Sequence, residues 1–292
     1  MESRTRRRLR SVLAGCALAA ACGVGLARAS AGPPEQTGIF ALLGGTPKIV
    51  SKFWAEHGAG LAATLDIRQY ALDGKTPILT YEVDMQKLAH IIIVRDDFAT
   101  FAHLHPSFDS ATGTFSLPFT KGPNHRYYVF ADTTPRGIGH QVFRFTTESD
   151  GPVANSQLSR TGLERSASVG PYTVTLGTTT LAAGRPQSVD VTVLEGGRPA
   201  SDLATYLGAA AHAVLINVQS LSYVHVHPSA RGAAGSMNMT MSPGTEMDMS
   251  GSAGPLMQMN LPSLPAGSYR LWVEFRGAGG KVFTAPFTLL VR

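Results

Sequence analysis

The chain contains an internal repeat built around histidine. An Ala-His pair is followed, thirteen positions further on, by a His-x-His-Pro-Ser motif, and the whole arrangement occurs twice. Each histidine of the second copy lies 122 positions after its counterpart in the first (212 − 90 = 225 − 103 = 227 − 105 = 122). The repeat uses six of the nine histidines, namely His90, His103, His105, His212, His225 and His227. A duplication of this kind restricts the chain to two similar domains, each with the same three-histidine set.

Both halves of the chain consist of short segments with β-branched or aromatic residues, broken by Gly, Pro, Asp and Asn. The segments are 61–72, 77–84, 89–95, 100–105, 126–132 and 141–147, then 172–178, 188–194, 212–218, 221–227, 269–275 and 282–290. We predict an all-β fold of two tandem immunoglobulin-like antiparallel β-sandwich domains, 38–147 and 169–292. The polar stretch 148–168 is the predicted linker.

The first 29 residues predict an export signal. Arginines are followed by an apolar run over 11–26 and by Ala27-Arg28-Ala29, an Ala-x-Ala cleavage pattern. We expect cleavage after Ala29 and a mature chain that starts near Ser30. Lipidation at Cys22, which follows three alanines, and an uncleaved anchor stay open as alternatives. The protein is therefore expected in the periplasm, on the cell surface or in the medium, with a lipid anchor as one possibility.

Removing this segment changes the charge balance. Residues 1–29 hold six Arg and one Glu, a net charge of +5 that equals the net charge of the whole chain. The rest is close to neutral, so we expect no nucleic-acid partner. Both cysteines, Cys16 and Cys22, lie in the same segment. Cleavage at Ala29 would exclude disulfides, thiolate zinc sites and covalent haem attachment.

Strand geometry predicts that the three histidines of each copy share one face. Side chains alternate between faces along a strand, so the two histidines of a His-x-His motif point the same way. If 91–95 and 100–104 form a hairpin, a two-residue loop places His90 opposite His103, and a four-residue loop places it opposite His105. An odd-length loop turns His90 away. Since imidazole binds copper and zinc, an even-length loop predicts a three-imidazole metal site in each domain, with copper and zinc both open.

A methionine-rich stretch follows the second His-x-His motif. It holds seven of the nine methionines within 23 residues: Met237, Met239, Met241, Met247, Met249, Met257 and Met259. Thioether sulfur is a soft ligand that selects Cu(I) and forms no disulfides in an oxidising compartment. We predict a Cu(I)-binding loop. A low-complexity loop without a metal role is the alternative.

The offset of the repeat changes after the histidines. Leu117-Pro118 and Val129 match Leu261-Pro262 and Val273 at an offset of 144, whereas the histidines match at 122. The difference (144 − 122 = 22) predicts about 22 inserted residues in the second copy, near 232–259. The insertion coincides with the methionine-rich stretch.

The histidine-bearing stretches and the later GSYRLWVEFRGAGGKVFTAPFTLLV resemble secreted bacterial proteins with tandem His-x-His-Pro domains. More distantly, they are similar to YtkA-like immunoglobulin-fold domains. The similarity extends from about residue 60 to the end of the sequence. The resemblance implies a β-sandwich fold and, by association with heavy-metal handling, an extracytoplasmic metal role. The first copy departs from the pattern because no Tyr-Leu-Gly run precedes His90.

Three classes of function follow from these patterns. We expect a copper-binding protein that buffers the metal or hands it to a membrane metal transporter or another copper-handling protein. We expect no enzyme, because blue-copper and multicopper oxidase sites need Cys and a copper monooxygenase brace needs an N-terminal His. Asp96 and Asp97 could serve as acid or base in the first copy only. A structural or protein-interaction β-sandwich without a metal role is the alternative. His57, His125 and His140 are assigned no role.

Overall fold

The computed structural model describes residues 35–57, 61–149, 162–231 and 253–292. These residues form β-strands linked by turns, with one short 3-10 helix at Ala278–Gly280, which confirms the all-β prediction. No helix within these ranges is long and apolar enough to span a membrane. Residues 33–292 form one compact unit. The predicted signal segment, with Cys22 and the cleavage point at Ala29, lies outside the described residues.

The first β-sandwich is formed by two sheets, with strand orders β1-β3-β4-β8-β7 and β2-β10-β9-β5-β6. Neighbouring strands in both sheets pair antiparallel. The strands are β1 (Gln36–Thr37), β2 (Ile39–Phe40), β3 (Val50–His57), β4 (Ala62–Tyr70), β5 (Ala89–Arg95), β6 (Phe101–Leu104), β7 (Ser107–Asp109), β8 (Thr114–Thr120), β9 (Arg126–Thr133) and β10 (Gln141–Glu148).

The second β-sandwich repeats this plan. One sheet has the order β11-β12-β14-β19-β18, with β15 paired to β14, and the other has the order β13-β21-β20-β16-β17. Its strands are β11 (Ser166–Val169), β12 (Tyr172–Leu176), β13 (Thr180–Leu181), β14 (Gln187–Glu195), β15 (Arg198–Pro199), β16 (His212–Asn217), β17 (Tyr223–Val226), β18 (Ser229–Ala230), β19 (Leu256–Leu261), β20 (Gly267–Arg276) and β21 (Val282–Val291). Most of the predicted linker, residues 150–161, lies outside the described residues.

Alternating side chains form the core of each sandwich. In β14, for example, Val189, Val191 and Val193 are buried, while the residues between them are partly exposed. Such a strand fits a sheet that has one face on the core and one face toward solvent. In contrast, β5 and β16 are buried along almost their whole length. Both faces of these two strands are therefore covered.

The second covering layer of β5 and β16 is the other sandwich. An apolar cluster joins the two sheets that contain these strands, and it includes Ile92 and Phe130 from the first sandwich and Val214 from the second. The rings of Phe101 and Trp272 stack with centroids 4.7 Å apart. The two sandwiches thus share a hydrophobic interface in addition to their own cores.

The structure places Met257 and Met259 in the core of the second sandwich. The sequence analysis predicted that both lie in a Cu(I)-binding loop, and this prediction was wrong. Both lie in β19 with exposures of 1% and 0%. They occupy the places of Phe115 and Leu117 in β8, at an offset of 142 (257 − 115 = 259 − 117 = 142). The physical reason is strand alternation: Met-x-Met places both thioethers on one face, and here that face is the core. Met237, Met239, Met241, Met247 and Met249 lie outside the described residues.

The insertion in the second copy is consequently shorter than the sequence comparison predicted. After the insertion, strand pairing relates equivalent residues of the two copies at an offset of 142 positions. The second copy therefore contains about 20 additional residues (142 − 122 = 20). They lie between β18 and β19, where the first sandwich has the turn between β7 and β8. The offset of 144 from the sequence comparison was wrong by two residues. Because side chains alternate between faces, a shift of two residues keeps each side chain on the same face and leaves the hydrophobic pattern intact.

Candidate metal centre

The first histidine set lies on the hairpin formed by β5 and β6. Ile92 lies opposite His103, and continuing the ladder places His90 opposite His105. The loop consists of the four residues 96–99, because the backbone N–H of residue 95 donates to the carbonyl oxygen of residue 100 at 3.4 Å. The four-residue alternative, with its three imidazoles on one face, is therefore the one observed.

The second set repeats this geometry on the hairpin formed by β16 and β17. Val214 lies opposite His225, which places His212 opposite His227. Residues 218–221 form the loop, closed by a 3.0 Å hydrogen bond from the N–H of residue 217 to the carbonyl of residue 222. Both hairpins thus have the even-length loop that a shared face requires.

The alternation of side chains along β5 and β16 determines which surface the histidine-bearing face contacts. In β5, Ile91 and Ile93 point into the core of the first sandwich. His90, Ile92 and Val94 point the other way, toward the second sandwich. The same alternation in β16 turns the second histidine set toward the first sandwich. The sequence predicted two separate sites, one in each domain, but the structure brings the two sets together at the interface.

The six rings form one cluster. Ring centroids are 4.9–5.1 Å apart within the first set and 4.7–5.3 Å apart within the second. Distances between the sets are similar: His225 lies 5.3 Å from His90 and 5.4 Å from His103. The site is therefore a single cluster of six imidazoles with contributions from both sandwiches.

Each set contains one pair of ring nitrogens that face each other. Nδ1 of His90 lies 2.8 Å from Nε2 of His103, and Nδ1 of His212 lies 3.1 Å from Nε2 of His225. A tetrahedral metal ion with metal–nitrogen bonds of about 2.0–2.1 Å holds its nitrogens about 3.3 Å apart. The spacing of both pairs is close to what one ion needs.

The outer nitrogens of two rings point at backbone carbonyls. Nε2 of His90 lies 3.1 Å from the carbonyl oxygen of Asp84, and Nε2 of His212 lies 3.0 Å from that of Tyr206. Since a carbonyl oxygen only accepts hydrogen bonds, each Nε2 must carry the proton. In the neutral ring, Nδ1 then keeps a free lone pair, which is directed at the facing imidazole.

The outer nitrogens of the facing rings point at carboxylates of the opposite sandwich. Nδ1 of His103 lies 2.6 Å from Oε2 of Glu274, and Nδ1 of His225 lies 3.2 Å from Oδ2 of Asp132. An ionised carboxylate accepts from Nδ1–H and leaves Nε2 with its lone pair free. Two lone pairs then meet in each facing pair, an arrangement that requires a proton or a metal ion between them.

The carboxylates differ in their protonation. Burial tends to raise the pKa of Asp132, but hydrogen bonds from His140 and His225 outweigh it and hold this pKa below its usual value. Burial raises the pKa of Glu274 to about 7. Asp132 is therefore an anion at neutral pH, whereas Glu274 exchanges a proton near neutrality. A protonated Glu274 can donate to His103, which supplies the proton that the facing pair needs when no metal is bound.

Most of the imidazoles are held in the neutral, metal-binding form. Burial and the neighbouring imidazoles lower the pKa of His103 to about 2 and those of His105 and His227 to about 3. The pKa values of His90 and His212 are lowered for the same reasons. Neutral imidazole is the form that ligates metals, so the cluster is prepared for a cation at neutral pH.

The third ring of each set offers a free nitrogen. The Nε2 atoms of His105 and His227 are buried and have no hydrogen-bond partner among the described residues. Buried polar atoms are nearly always paired, so an unpaired ring nitrogen beside two facing nitrogens suggests a ligand. The first set thus provides three nitrogens that could bind one ion, and in the second set His227 adds a nitrogen without a partner beside the facing pair.

Nitrogen distances group the ligands slightly differently from the sequence repeat. In His90, His103 and His105 the candidate ligand atoms all lie within 4.8 Å of one another, as the repeat predicts. The second such group combines His103 with His212 and His225. His227 contacts these last two rings at centroid distances of 4.7 Å each. We retain His227 as a ligand candidate because its Nε2 has no hydrogen-bond partner among the described residues. His103 belongs to both groups and so connects the two histidine sets.

The sequence analysis missed the acidic residues of the site. Asp132 pairs with His90 across the sheet, and Glu274 pairs with His212, so the two acids are equivalent at an offset of 142. The sequence alignment at 144 concealed this equivalence. His140, which was assigned no role, also belongs to the site, because its Nε2 lies 2.5 Å from Oδ1 of Asp132.

Among protein families, one model matches the part of the chain that forms the second sandwich. A family described as a domain of unknown function, DUF8832, matches residues 167–292. This range includes the second histidine set and Glu274. No curated protein matches the chain.

Among solved structures, a polysaccharide lyase matches over 85% of this chain and 34% of its own, with 14% identity and a TM-score of 0.21. A mutant Salmonella alpha-2-macroglobulin matches over 86% and 16%, with 15% identity and a TM-score of 0.23. Native E. coli alpha-2-macroglobulin matches over the same shares, with 9% identity and a TM-score of 0.22. The chain spans about a third or less of these proteins. TM-scores this low support no conclusion about function.

Proposed function

We propose that this protein is an exported copper-binding protein that buffers the metal or transfers it. The six-histidine cluster is the proposed metal centre, and the five methionines from Met237 to Met249 are the proposed Cu(I) collector. The coarser statement, that the histidine sets have the geometry to hold a metal ion, follows from the nitrogen distances. Copper, export and transfer are the steps that the proposal adds.

One observation carries the proposal: two pairs of imidazole nitrogens face each other while their outer nitrogens are fixed by acceptors. Metal-ligating histidines almost always donate the other ring N–H to a carboxylate or a backbone carbonyl. Four of the six rings have such an acceptor, a carbonyl for His90 and His212 and a carboxylate for His103 and His225. The residues present therefore fit a metal ion.

The donor set favours a borderline metal. Imidazole nitrogen suits Cu(I), Cu(II) and Zn(II), whereas Mg²⁺ and Ca²⁺ prefer oxygen ligands. Methionine sulfur favours Cu(I). The five methionines from Met237 to Met249 support copper over zinc, and zinc at the histidines is the second candidate.

Burial supports binding and not catalysis. His90 and His212 are 1% and 0% exposed, and the two carboxylates beside the cluster are already hydrogen-bonded to histidines. A catalytic metal needs an open coordination position and a nearby free acid or base. His105 and His227 are only partly buried, whereas His90 and His212 are fully buried, so we propose that metal enters at the edge formed by the first two residues. A membrane metal transporter or another copper-handling protein is the proposed partner at that edge.

A structural module without a metal role is the second candidate function. The observation that favours it is that histidines also connect the sandwiches, through His225 with Asp132 and His103 with Glu274. In that case protons would occupy the facing pairs permanently, and the cluster would serve only as a polar part of the interface.

Metal analysis of the exported protein distinguishes the two candidates. We expect wild-type protein to retain copper against a chelator of moderate affinity and a His103→Ala/His105→Ala variant to lose at least half of it. Deletion of residues 237–249 is expected to lower Cu(I) uptake and to leave Cu(II) binding at the histidines intact. The matched control is His125→Ala, because His125 lies outside the cluster. Wild-type protein that holds neither copper nor zinc against the chelator would refute the proposal.

A further inference from the structure

We infer that the six imidazoles hold two ions as one dinuclear centre, in which each sandwich supplies the carboxylate that positions a ligand of the other sandwich's ion. The inference rests on the proposed metal-binding function and goes beyond it in stoichiometry and in coupling. It assigns Asp132 and Glu274 as positioning residues.

The first argument is symmetry. His90 and His212, His103 and His225, and the carbonyls of Asp84 and Tyr206 all correspond at one offset of 122 and make the same contacts. Each set has its own facing pair and its own third nitrogen. A symmetric cluster with two facing pairs, each beside a further imidazole nitrogen without a partner, offers two equivalent positions for ions.

The second argument is proximity. Rings of different sets are almost as close as rings of one set, and His103 lies within ligand distance of both groups. Ring centroids of the two facing pairs lie 5.3–6.1 Å apart, so two ions with metal–nitrogen bonds of about 2 Å, one in each pair, would lie on the order of 5 Å apart. Two-metal protein sites have ions about 3.5–4 Å apart, so this separation is close to that of a shared centre.

The third argument is the exchange of carboxylates. His103 belongs to the first sandwich but is oriented by Glu274 of the second, and His225 is oriented by Asp132 of the first. Both acids are almost fully buried, at 2% and 5% exposure. Two buried carboxylates also balance part of the charge of two cations, which a site with neutral imidazoles alone would not. Each set of histidines is therefore oriented in part by a carboxylate of the other sandwich.

Titration of the metal-free full-length protein with Cu(II) tests the dinuclear centre through electron paramagnetic resonance. We expect two equivalents of Cu(II) per chain. The spectrum of an isolated Cu(II) ion should appear with the first equivalent, then broaden with the second as a half-field signal from the coupled pair develops. Two equivalents with a simple additive spectrum, or saturation at one equivalent, would overturn the inference and leave the metal-binding function standing. Absence of any Cu(II) binding would overturn both.

Half-site variants test the exchange of carboxylates. His227→Ala retains the first ligand set, and His105→Ala retains the second. Loss of a positioning carboxylate typically lowers metal affinity 10- to 100-fold. We expect Glu274→Gln to have the larger effect on Cu(II) affinity in the His227→Ala protein, and Asp132→Asn to have the larger effect in the His105→Ala protein. Equal effects in both backgrounds, with circular dichroism showing folded protein, would mean a structural role only and would overturn this assignment.

Discussion

Nδ1 of His225 in the second sandwich lies 3.2 Å from Oδ2 of Asp132 in the first, and His103 with Glu274 makes the reciprocal contact at 2.6 Å. Each sandwich therefore completes the hydrogen bonding of the other's histidines. In each contact the imidazole and the carboxylate belong to different sandwiches, so neither hydrogen bond can form within an isolated domain. The two sandwiches consequently act as one structural unit around the cluster.

Breaking the His225–Asp132 contact should destabilise the metal-free protein. We expect Asp132→Asn to lower the free energy of unfolding by about 3–5 kcal/mol, because removal of one partner leaves a buried polar group uncompensated. Urea denaturation measures this change. Asp190→Asn is the control, since Asp190 pairs with Arg231 at the surface and should change stability by about 0–1 kcal/mol. Equal effects of the two variants would contradict the prediction.

Stability of the metal-free protein should fall as the pH decreases from 7.5 to 5. The pKa of His103 is lowered to about 2 and those of His105 and His227 to about 3. In the unfolded chain these groups bind protons below about pH 6.5. Their contribution is therefore present above that pH and lost as the pH falls.

Glu274 acts in the opposite direction. Its pKa is raised to about 7, so its contribution is present below its unfolded value and is lost as the pH rises through 7. Because several histidines oppose one glutamate, we expect a net loss of stability on acidification. Urea midpoints measured in the presence of a chelator at pH 7.5, 6 and 5 test this; an unchanged or rising midpoint would disprove it.

Trp272 should contribute strongly to the interface of the sandwiches. It is 3% exposed and stacks on Phe101 across the interface. We expect Trp272→Ala to cost about 3–5 kcal/mol of unfolding free energy, as large-to-small changes at buried aromatic positions do. Trp54→Ala is the matched control: Trp54 is only partly buried and lies beside Arg68, so about 1 kcal/mol or less is expected. Thermal unfolding followed by circular dichroism compares the two.

The methionines should separate into two functional groups. We expect Met257→Leu and Met259→Leu to leave Cu(I) stoichiometry unchanged and to alter stability by less than about 1.5 kcal/mol, because leucine conserves core volume. Serine at Met237, Met239, Met241, Met247 and Met249 should lower Cu(I) stoichiometry without a loss of stability. Cu(I) titration against a competing chelator gives the stoichiometry. Loss of copper in the leucine variants would return the two core methionines to the ligand set.

Metal should stabilise the folded protein. An ion that binds the folded state alone contributes about 2.7 kcal/mol at a free concentration of 100 times its Kd. We therefore expect Cu(II) or Zn(II) to raise the Tm of wild-type protein. A His103→Ala/His105→Ala variant should show at most half of this increase. A metal-induced Tm shift that is the same in both proteins would place the binding elsewhere.

Much of the fold was predictable because it depends on local periodicity. Alternation in segments such as β4 and β14 identifies sandwich strands, and the parity of the hairpin loop correctly restricted the placement of His90. The same alternation was insufficient for Met257 and Met259. The spacing in the sequence shows that two side chains share a face of a strand, but it does not show whether that face contacts the core or solvent.

The sequence by itself determined the repeated domains and the two sets of three histidines, and it restricted a shared histidine face to hairpins with an even-length loop. Only the tertiary structure decided that the two sets meet. The reason is that β5 and β16 are buried on both faces. A continuous apolar run such as Ile91–Val94 predicts that both faces are covered, but it does not show which part of the protein covers the second face. Here it is the other sandwich. That packing also brings Asp132 and Glu274, which are distant in sequence from the histidines that they orient, into one centre.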